Sequence, residues 1–218
     1  MKILIVGAGR LGTQIAQVLS AAHNDVILVE QDDDRVAALA TLPRVRLMAG
    51  DACDSFLLER AEASSCDLVI SATGCDEDNL VISLLAKRRF GVGRVAARVN
   101  DTENAWLFDQ QWGVDVAVPA ATPLISLIEE ATGATDTVAL LRLSKAGVEV
   151  IETAITEGSR AAGHTLSEIP LPAGTVVATV VRDGRPTVPD PGVRLQPGDE
   201  LLLVSHEATE QEIHAAFQ

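Results

Sequence analysis

The sequence of 218 residues predicts an α/β fold, a doubly wound parallel sheet of six strands followed by a second, smaller α+β domain. Three observations carry this prediction. The first thirty residues follow the order strand, glycine-rich turn, helix, strand and acidic residue. Apolar strand signals then alternate with helical signals as far as residue 131, which is typical of a parallel sheet covered by helices on both faces. Beyond residue 133 the strand signals dominate, as expected of a separate β-rich module.

The first thirty residues contain a complete G-x-G-x-x-G motif between an apolar strand and a helix. The motif residues are Gly7, Ala8, Gly9, Arg10, Leu11 and Gly12. The first glycine permits a tight turn, the second lets the backbone approach a pyrophosphate, and the third packs the helix against the strand. Glu30 ends the second strand, 18 residues after Gly12, where an acid accepts hydrogen bonds from a ribose and disfavours the 2′-phosphate of NADP. This arrangement predicts a Rossmann nucleotide-binding unit whose helix N-terminus points at the phosphates.

The other elements of the first domain follow from short apolar runs and helical periodicity. The predicted strands are 2–6, 25–29, 45–49, 67–72, 94–99 and 114–118. The predicted helices are 13–22, 55–63, 76–90, 102–112 and 121–131. Helix 76–90 begins with acidic residues and ends with basic ones, as the helix dipole favours.

The second domain is predicted to begin after Gly133, which ends the helix 121–131. Its predicted strands are 137–143, 148–155, 175–182 and 201–204, with helices at 164–168 and 207–217 and a tight turn at Asp183-Gly184. We therefore predict a nucleotide-binding domain at 1–120, a linker helix at 121–133 and a second domain at 134–218. The second domain is too small for the substrate domain of a typical dehydrogenase and suits a regulatory or ligand-sensing module.

Two strand ends add candidate residues at the carboxyl edge of the sheet, where ligands bind in such folds. Thr73 and Gly74 follow the fourth strand, although an ordinary strand-to-helix turn would use the same residues. Asp51 and Ala52 follow the third strand, where they either cap the next helix or border an adenine ring. We favour the ligand-binding interpretation for the third strand.

Two arginines are candidate phosphate ligands. Arg98 interrupts the apolar fifth strand, and a buried guanidinium needs an anion, which is either an acidic neighbour or a nucleotide phosphate. Arg10 lies inside the glycine turn, near the expected phosphates, although an exposed side chain is the alternative. We favour the phosphate for both.

Composition excludes several classes of function. The net charge is −14, from 17 basic and 31 acidic residues, whereas nucleic-acid binding depends on basic residues that neutralise phosphates. No apolar run approaches the roughly 18 residues of a membrane span, and the N-terminus lacks the apolar region of a signal peptide. We therefore expect a soluble, cytoplasmic protein that does not bind nucleic acid.

The sequence contains no recognisable catalytic or metal-binding pattern. Its cysteines, Cys53, Cys66 and Cys75, form no C-x-x-C pair and are interpreted as small, partly buried core residues. The four histidines are scattered, and the chain has no tyrosine, which excludes the Tyr-x-x-x-Lys pair of one large class of oxidoreductases. We predict no catalytic residue and no metal site.

Several motifs resemble the TrkA-type RCK (KTN) domain of potassium-transport proteins, and the C-terminal part resembles the RCK_C (TrkA_C) domain. The resembling segments are 50–52, 72–80, 85–87, 95–101 and 113–115 in the first domain, and 188–189 and 195–203 in the second. The resemblance covers essentially the whole chain and is especially close to actinobacterial Trk proteins.

The resemblance implies a cytoplasmic regulatory subunit, peripheral to the membrane, that gates an integral-membrane potassium transporter or channel. It implies NAD(H) or an adenine nucleotide (ATP, ADP or AMP) as ligand, and assembly into dimers, tetramers or octameric rings. The glycines would hold the phosphates and Glu30 would bind the ribose, while Asp51 and Ala52 would border the adenine. Arg98 would contact the ligand from the fifth strand, and Arg10 would reach the phosphates across a dimer interface. Helix 121–131 resembles the crossover helix that builds the dimer.

Two departures from the family pattern narrow these expectations. Arg98 and Asn100 stand where calcium-gated relatives carry acids, which argues against calcium gating, and Ala120 replaces a glutamate associated with Mg²⁺ and ATP. Some family members bind cyclic di-AMP at the C-terminal domain, but no motif decides this here. The alternatives to a regulator are an NAD-dependent oxidoreductase of unknown substrate and a scaffold with an empty site.

Overall fold

A computed structural model of the protein describes residues 1–132, 135–143 and 147–218. These residues form two compact units, Met1–Ala121 and Thr122–Gln218. Within the described residues, no helix is both long and apolar enough to span a bilayer.

The first unit is built on a parallel six-stranded sheet, which confirms the predicted fold class. Its strands are β1 (Lys2–Val6), β2 (Asp25–Glu30), β3 (Val45–Ala49), β4 (Leu68–Ser71), β5 (Arg94–Val99) and β6 (Val116–Pro119). The strand order is β3-β2-β1-β4-β5-β6, with every neighbouring pair parallel. The order reverses between β1 and β4, and this switch point opens a crevice at the carboxyl ends of the strands.

The central strand β1 of the first unit is buried on both faces. Leu4 and Val6 belong to one apolar cluster, while Ile3 and Ile5 belong to another on the opposite face of the sheet. Such continuous apolar strands are what a parallel sheet between two helical layers requires.

The connections of the first unit are helical. Its helices are α1 (Arg10–Ala21), α2 (Asp33–Ala38), α3 (Ser55–Arg60) and α4 (Asp76–Leu84), with 3₁₀ turns at Ala63–Ser65 and Thr102–Leu107. The last turn after α4, Leu85–Arg89, is π-helical, because the Phe90 N–H donates to the carbonyl of Leu85, five residues back.

The prediction of a helix over 102–112 is wrong. Only Thr102–Leu107 is helical, as a 3₁₀ helix. Beyond it, the Asp109 carboxylate accepts the backbone N–H groups of Gln111 and Trp112 at 2.8 and 3.2 Å. Those N–H groups therefore close a side-chain turn instead of continuing a helix.

The second unit contains the helix α5 (Thr122–Thr132) and an antiparallel five-stranded sheet. Its strands are β7 (Thr137–Leu143), β8 (Val148–Ala154), β9 (Thr175–Arg182), β10 (Arg185–Thr187) and β11 (Glu200–Ser205), in the order β10-β9-β11-β8-β7. A 3₁₀ turn at Leu166–Glu168 and the helix α6 (Glu210–Phe217) complete it, and Phe217 and Ile213 of α6 pack into its apolar core. The prediction that Gly133 ends α5 lies outside the described residues.

In the second unit, an ion pair links Arg182 on β9 to Asp199, the buried residue just before β11. The Arg182 guanidinium on β9 donates to both carboxylate oxygens of Asp199 at 2.6 and 2.7 Å, and the N–H of Gln196 adds a third hydrogen bond. Burial alone would raise the pKa of Asp199, but these hydrogen bonds outweigh it and lower the pKa below its usual range.

The helix α5 exposes large apolar side chains. Leu124, Ile125 and Ile128 are 62%, 49% and 54% exposed. Exposed apolar side chains grouped on one helix mark an interaction surface more often than single ones do.

Candidate functional site

A cleft of about 250 Å³ opens at the carboxyl ends of β1 to β5, where the strand order reverses. Eight residues predicted from the sequence line it: Gly7, Gly9, Glu30, Asp51, Ala52, Thr73, Gly74 and Arg98. The sheet topology brings these residues together, since they lie at the ends of five different strands or in the turns that follow them.

The three glycines of the motif differ in how strictly the fold requires glycine at each position. Gly7 has φ +95°, and a Cβ there would lie 2.9 Å from the carbonyl oxygen of Ala72, the residue after β4. A Cβ on Gly12 would lie only 1.9 Å from the Gly7 carbonyl oxygen, so α1 reaches its position against the turn only with glycine there. At Gly9, by contrast, a Cβ would meet nothing within 4 Å, so the fold itself leaves open space there.

The N-terminus of α1 is open to an anion. Its N-cap is Gly9, which has no side chain to accept a hydrogen bond, and its first turn contains no acidic residue. The first N–H groups of a helix lack intrahelical acceptors, and the helix dipole adds partial positive charge there. This helix end can therefore bind a phosphate through its backbone.

Glu30 is a buried carboxylate at the end of β2, with only 6% of its surface exposed. One of its oxygens, Oε2, accepts the Ala8 N–H at 2.7 Å, which ties the carboxylate to the glycine turn. Oε1 accepts the N–H groups of Gln31 and Asp32 at 3.0 and 3.1 Å. The Arg35 side chain of α2 adds a contact from Nη1 to Oε2 at 3.3 Å.

Arg98 extends from β5 into the cleft. Its Nε atom is buried and has no hydrogen-bond partner among the described residues. In that part of the chain, no carboxylate forms an ion pair with its guanidinium, so the acidic neighbour considered from the sequence is not found. A buried guanidinium nitrogen without an acceptor is costly unless a ligand supplies one.

The ends of β4 and β5 are held together by Asn79, a fully buried residue of α4. Its Oδ1 accepts the Thr73 N–H at 2.9 Å and the Thr73 hydroxyl at 2.8 Å. Its Nδ2 donates to the carbonyl oxygens of Thr73 and Arg98, the latter at 3.0 Å. One side chain therefore fixes the backbone at two lining residues of the cleft.

Asp76, at the start of α4, fixes the loop after β5 in the same way. Its carboxylate accepts the backbone N–H groups of Asn100 and Asp101 at 2.7 and 3.0 Å and the Asn104 side chain at 3.0 Å. Burial would raise the pKa of Asp76, but these hydrogen bonds together lower it. Asp76 is thus an ionised structural residue.

Cys53 lies in the cleft between two carboxylates. Its N–H donates to Asp51 Oδ1 at 2.8 Å. Burial, followed by the charges of Asp78 and Asp51, raises the pKa of the Cys53 thiol to about 12. The thiol is therefore uncharged at neutral pH and unsuited to nucleophilic chemistry.

Four predicted site residues do not line this cleft. Ala8 and Arg10 border a shallow groove on the other side of the turn, beside α2. Leu11 is partly exposed and Gly12 is buried, and neither lines the cleft or this groove. Their proximity to a ligand therefore rests on the motif alone.

Sequence reasoning missed several residues of the cleft, among them Gln31, Arg35, Cys53, Asp78 and Ile82. Gln31 could have been found because it directly follows Glu30. The local sequence around Asp78 indicates only an acidic residue that the helix dipole favours, and Cys53 is interpreted from the sequence as a core residue. Arg35 had no motif, because α2 has no buried residues and therefore no apolar periodicity.

Two family models match the chain. The TrkA-N domain matches residues 3–120, and the TrkA-C domain matches residues 150–218. The first match includes every element that lines the cleft.

Curated relatives match along nearly the whole chain. The Trk system potassium uptake protein TrkA of Mycobacterium tuberculosis is 38% identical over 213 residues, which covers 98% of this chain and 96% of the relative. A TrkA homolog of Archaeoglobus fulgidus is 32% identical and covers 94% of this chain, which spans about half (47%) of that longer protein.

Solved structures share the fold. The GsuK channel bound to NAD aligns with a TM-score of 0.61 at 18% identity, over 99% of this chain and 39% of the channel chain. The AMP-bound C-terminal domain of Shewanella denitrificans Kef aligns with a TM-score of 0.51 at 22% identity, over 67% of this chain and 86% of that domain. At these identities the likeness is one of fold.

Proposed function

The chain belongs to the TrkA family, and from that membership we propose that it is the nucleotide-binding regulatory subunit of a Trk-type potassium-uptake system. The observation that carries the proposal is the buried Arg98 Nε without an acceptor, in a cleft that also holds an uncapped helix N-terminus. A phosphate would supply the acceptor that the Arg98 Nε lacks and would cap the N-terminus of α1. The location would be the cytoplasmic face of the membrane, beside an integral-membrane potassium transporter or channel.

The proposed ligand is NAD(H) or an adenine nucleotide. The phosphates would bind the turn Gly7–Gly12 and Arg98, while the ribose hydroxyls would donate to Glu30. The adenine would lie beside Asp51 and Ala52, with Thr73 and Gly74 on the opposite side of the cleft. The placement of Glu30 at the end of β2 and of Asp51 just after β3, with Arg98 on β5, supports this division. The NAD-bound and AMP-bound proteins of the same fold are consistent with it.

The role of the ligand would be regulatory, not catalytic. A ligand shifts a conformational equilibrium only through different affinities for the two states. We propose that the nucleotide has such a difference and thereby changes transport by the membrane partner. The proposed organisation is a nucleotide-binding domain at 1–120, a linker helix at 121–133 and a regulatory domain at 134–218, assembled as a homo-oligomer.

The binding site is tested by thermal unfolding with NAD⁺, NADH, ATP, ADP, AMP and cyclic di-AMP. A ligand at 100 times its dissociation constant should add about 2.7 kcal/mol to the free energy of unfolding. Arg98→Gln should weaken binding of the stabilising nucleotide by about 10- to 100-fold, since it removes charge-assisted hydrogen bonds. Arg94→Gln is the matched control, because Arg94 begins the same strand and is exposed at its other end.

Three results would contradict the proposal. If no nucleotide stabilises the wild-type protein, or if Arg98→Gln and Arg94→Gln bind the nucleotide with equal affinity, the cleft is not the nucleotide-binding site. If saturating nucleotide leaves potassium uptake by the reconstituted partner unchanged, the regulatory role fails. Steady NADH turnover with a panel of small substrates would instead support an oxidoreductase.

A further inference from the structure

The Glu30 carboxylate has no free acceptor position in this structure. A carboxylate offers about four lone-pair sites, two on each oxygen. Both sites of Oε1 are taken by backbone N–H groups, those of Gln31 and Asp32. On Oε2, one site accepts the Ala8 N–H and the other the Arg35 guanidinium. A ribose hydroxyl that binds Glu30 must therefore take the place of one of these donors.

Arg35 is the donor that can leave. The other three donors are backbone N–H groups, whose positions are fixed by the glycine turn and by the chain that leads into α2. The Arg35 contact is also the longest of the four, at 3.3 Å, and its side chain is 49% exposed. The Arg35 guanidinium can therefore be solvated once it leaves, whereas the buried Glu30 carboxylate needs another donor in its place, which a ribose hydroxyl supplies.

We propose that Arg35 is a specificity-determining residue, which occupies Glu30 in the free protein and is displaced by the ribose diol of the bound nucleotide. The inference rests on the proposed nucleotide site and adds a residue to it. The ribose hydroxyls gain their acceptor only at the expense of the Arg35 contact. The affinity of the cleft for an intact ribose is therefore lower than Glu30 alone would give.

The displacement predicts a specific thermodynamic signature. Removing Arg35 should strengthen binding of nucleotides that carry the 2′- and 3′-hydroxyls relative to those that lack both. Removing Arg35 should not strengthen the binding of nucleotides that lack both hydroxyls, since such ligands do not need Glu30 as an acceptor. The loss of positive charge affects the phosphates of both classes equally and cancels in the comparison.

Titration calorimetry with AMP and 2′,3′-dideoxy-AMP tests this signature on wild type and Arg35→Ala. The variant keeps the Arg35 N–H that donates to Asp32 at the start of α2, so the helix is retained. Arg46→Ala is the matched control, because Arg46 is 46% exposed and pairs with a glutamate, Glu62, outside the cleft. We expect the ratio of the dideoxy-AMP to the AMP dissociation constant to rise about two- to fivefold in Arg35→Ala and to stay unchanged in Arg46→Ala.

An unchanged or lower ratio in Arg35→Ala, with AMP still bound, would overturn the role of Arg35 alone. A lower ratio would mean that Arg35 itself contacts the ribose. An equal rise in Arg46→Ala would also overturn it, because the effect would then be one of general charge. If wild type binds no AMP at millimolar concentration, the proposed adenine-nucleotide site fails and the inference fails with it.

Discussion

Gly9 and Gly12 stand three residues apart in one motif, yet the structure requires glycine at position 12, in α1, and leaves space at Gly9, the N-cap. Gly12→Ala should lower the free energy of unfolding by about 3 kcal/mol or more, because its Cβ would overlap the Gly7 carbonyl oxygen. Gly9→Ala should cost about 1 kcal/mol at most, since φ is −64° and no atom lies within 4 Å of the new Cβ. Urea unfolding measures both.

The same pair separates folding from ligand binding. Gly9→Ala should weaken nucleotide binding about tenfold or more, because the methyl group enters the space through which a phosphate approaches the backbone. Thermal stabilisation by the nucleotide measures this loss. A Gly9→Ala protein that binds the nucleotide as wild type does would remove the turn from the proposed site.

The raised pKa of the Cys53 thiol predicts that this residue is alkylated slowly in the native protein. With its thiol pKa raised to about 12 by burial, Asp78 and Asp51, roughly one molecule in 10⁴ carries a thiolate at pH 8. Alkylation of Cys53 by iodoacetamide should therefore be far slower in the native protein than in urea. Asp78→Asn removes a nearby negative charge, lowers the pKa and should accelerate alkylation, as mass spectrometry of the modified peptides would measure. Native Cys53 that reacts as fast as unfolded Cys53 would contradict the buried environment between the two carboxylates.

At the scale of elements, α4 organises the edge of the sheet where the cleft opens. Asn79→Ala leaves the Thr73 N–H and the Arg98 carbonyl without their partner, and should cost about 2–4 kcal/mol of unfolding free energy. Asn24→Ala is the control, because Asn24 makes one side-chain hydrogen bond, to the Leu19 carbonyl, and should cost about 0.5–1.5 kcal/mol. Equal destabilisation of the two variants in urea would show that Asn79 does not hold the two strand ends.

The sequence is sufficient to predict the elements that carry apolar periodicity. The strands β3, β5, β7 and β9 have the predicted bounds, because each is a short apolar run between turn residues. The short helix α2 was missed since it buries no side chain, although Asp32 caps it and acids fill its first turn. The strand β10 was missed because it has only three residues, all exposed.

The same reasoning explains which parts of the cleft could be predicted. Gly7, Glu30 and Arg98 are each singled out by a local signal, namely a motif, a spacing and a charge within an apolar strand. The Arg35 contact with Glu30 and the position of Cys53 between Asp51 and Asp78 depend on side-chain directions that no local pattern encodes. Local spacing therefore predicts the backbone of the cleft, whereas its electrostatic detail requires the folded structure.

At the scale of the whole molecule, the apolar side chains of α5 predict self-association. Leu124, Ile125 and Ile128 are each about half exposed or more, and water contact with three large apolar side chains on one helix is unfavourable. We expect the wild-type protein to have at least twice the 23.0 kDa mass of one chain in light scattering. A second copy of α5 would cover these side chains.

Ile128→Lys should shift this assembly to the monomer, because a charge would be buried in the apolar contact. Val188→Lys is the control, since Val188 is also strongly exposed but follows β10, at the sheet edge opposite β7, the strand that α5 packs against. The monomeric variant should still bind the nucleotide, because the cleft is lined entirely by residues of the first unit. A wild-type protein that is monomeric at micromolar concentration, or an Ile128→Lys protein that remains assembled, would exclude α5 as the contact. Loss of nucleotide binding on dissociation would instead mean that a second chain contributes to the cleft, as the family resemblance implies for Arg10.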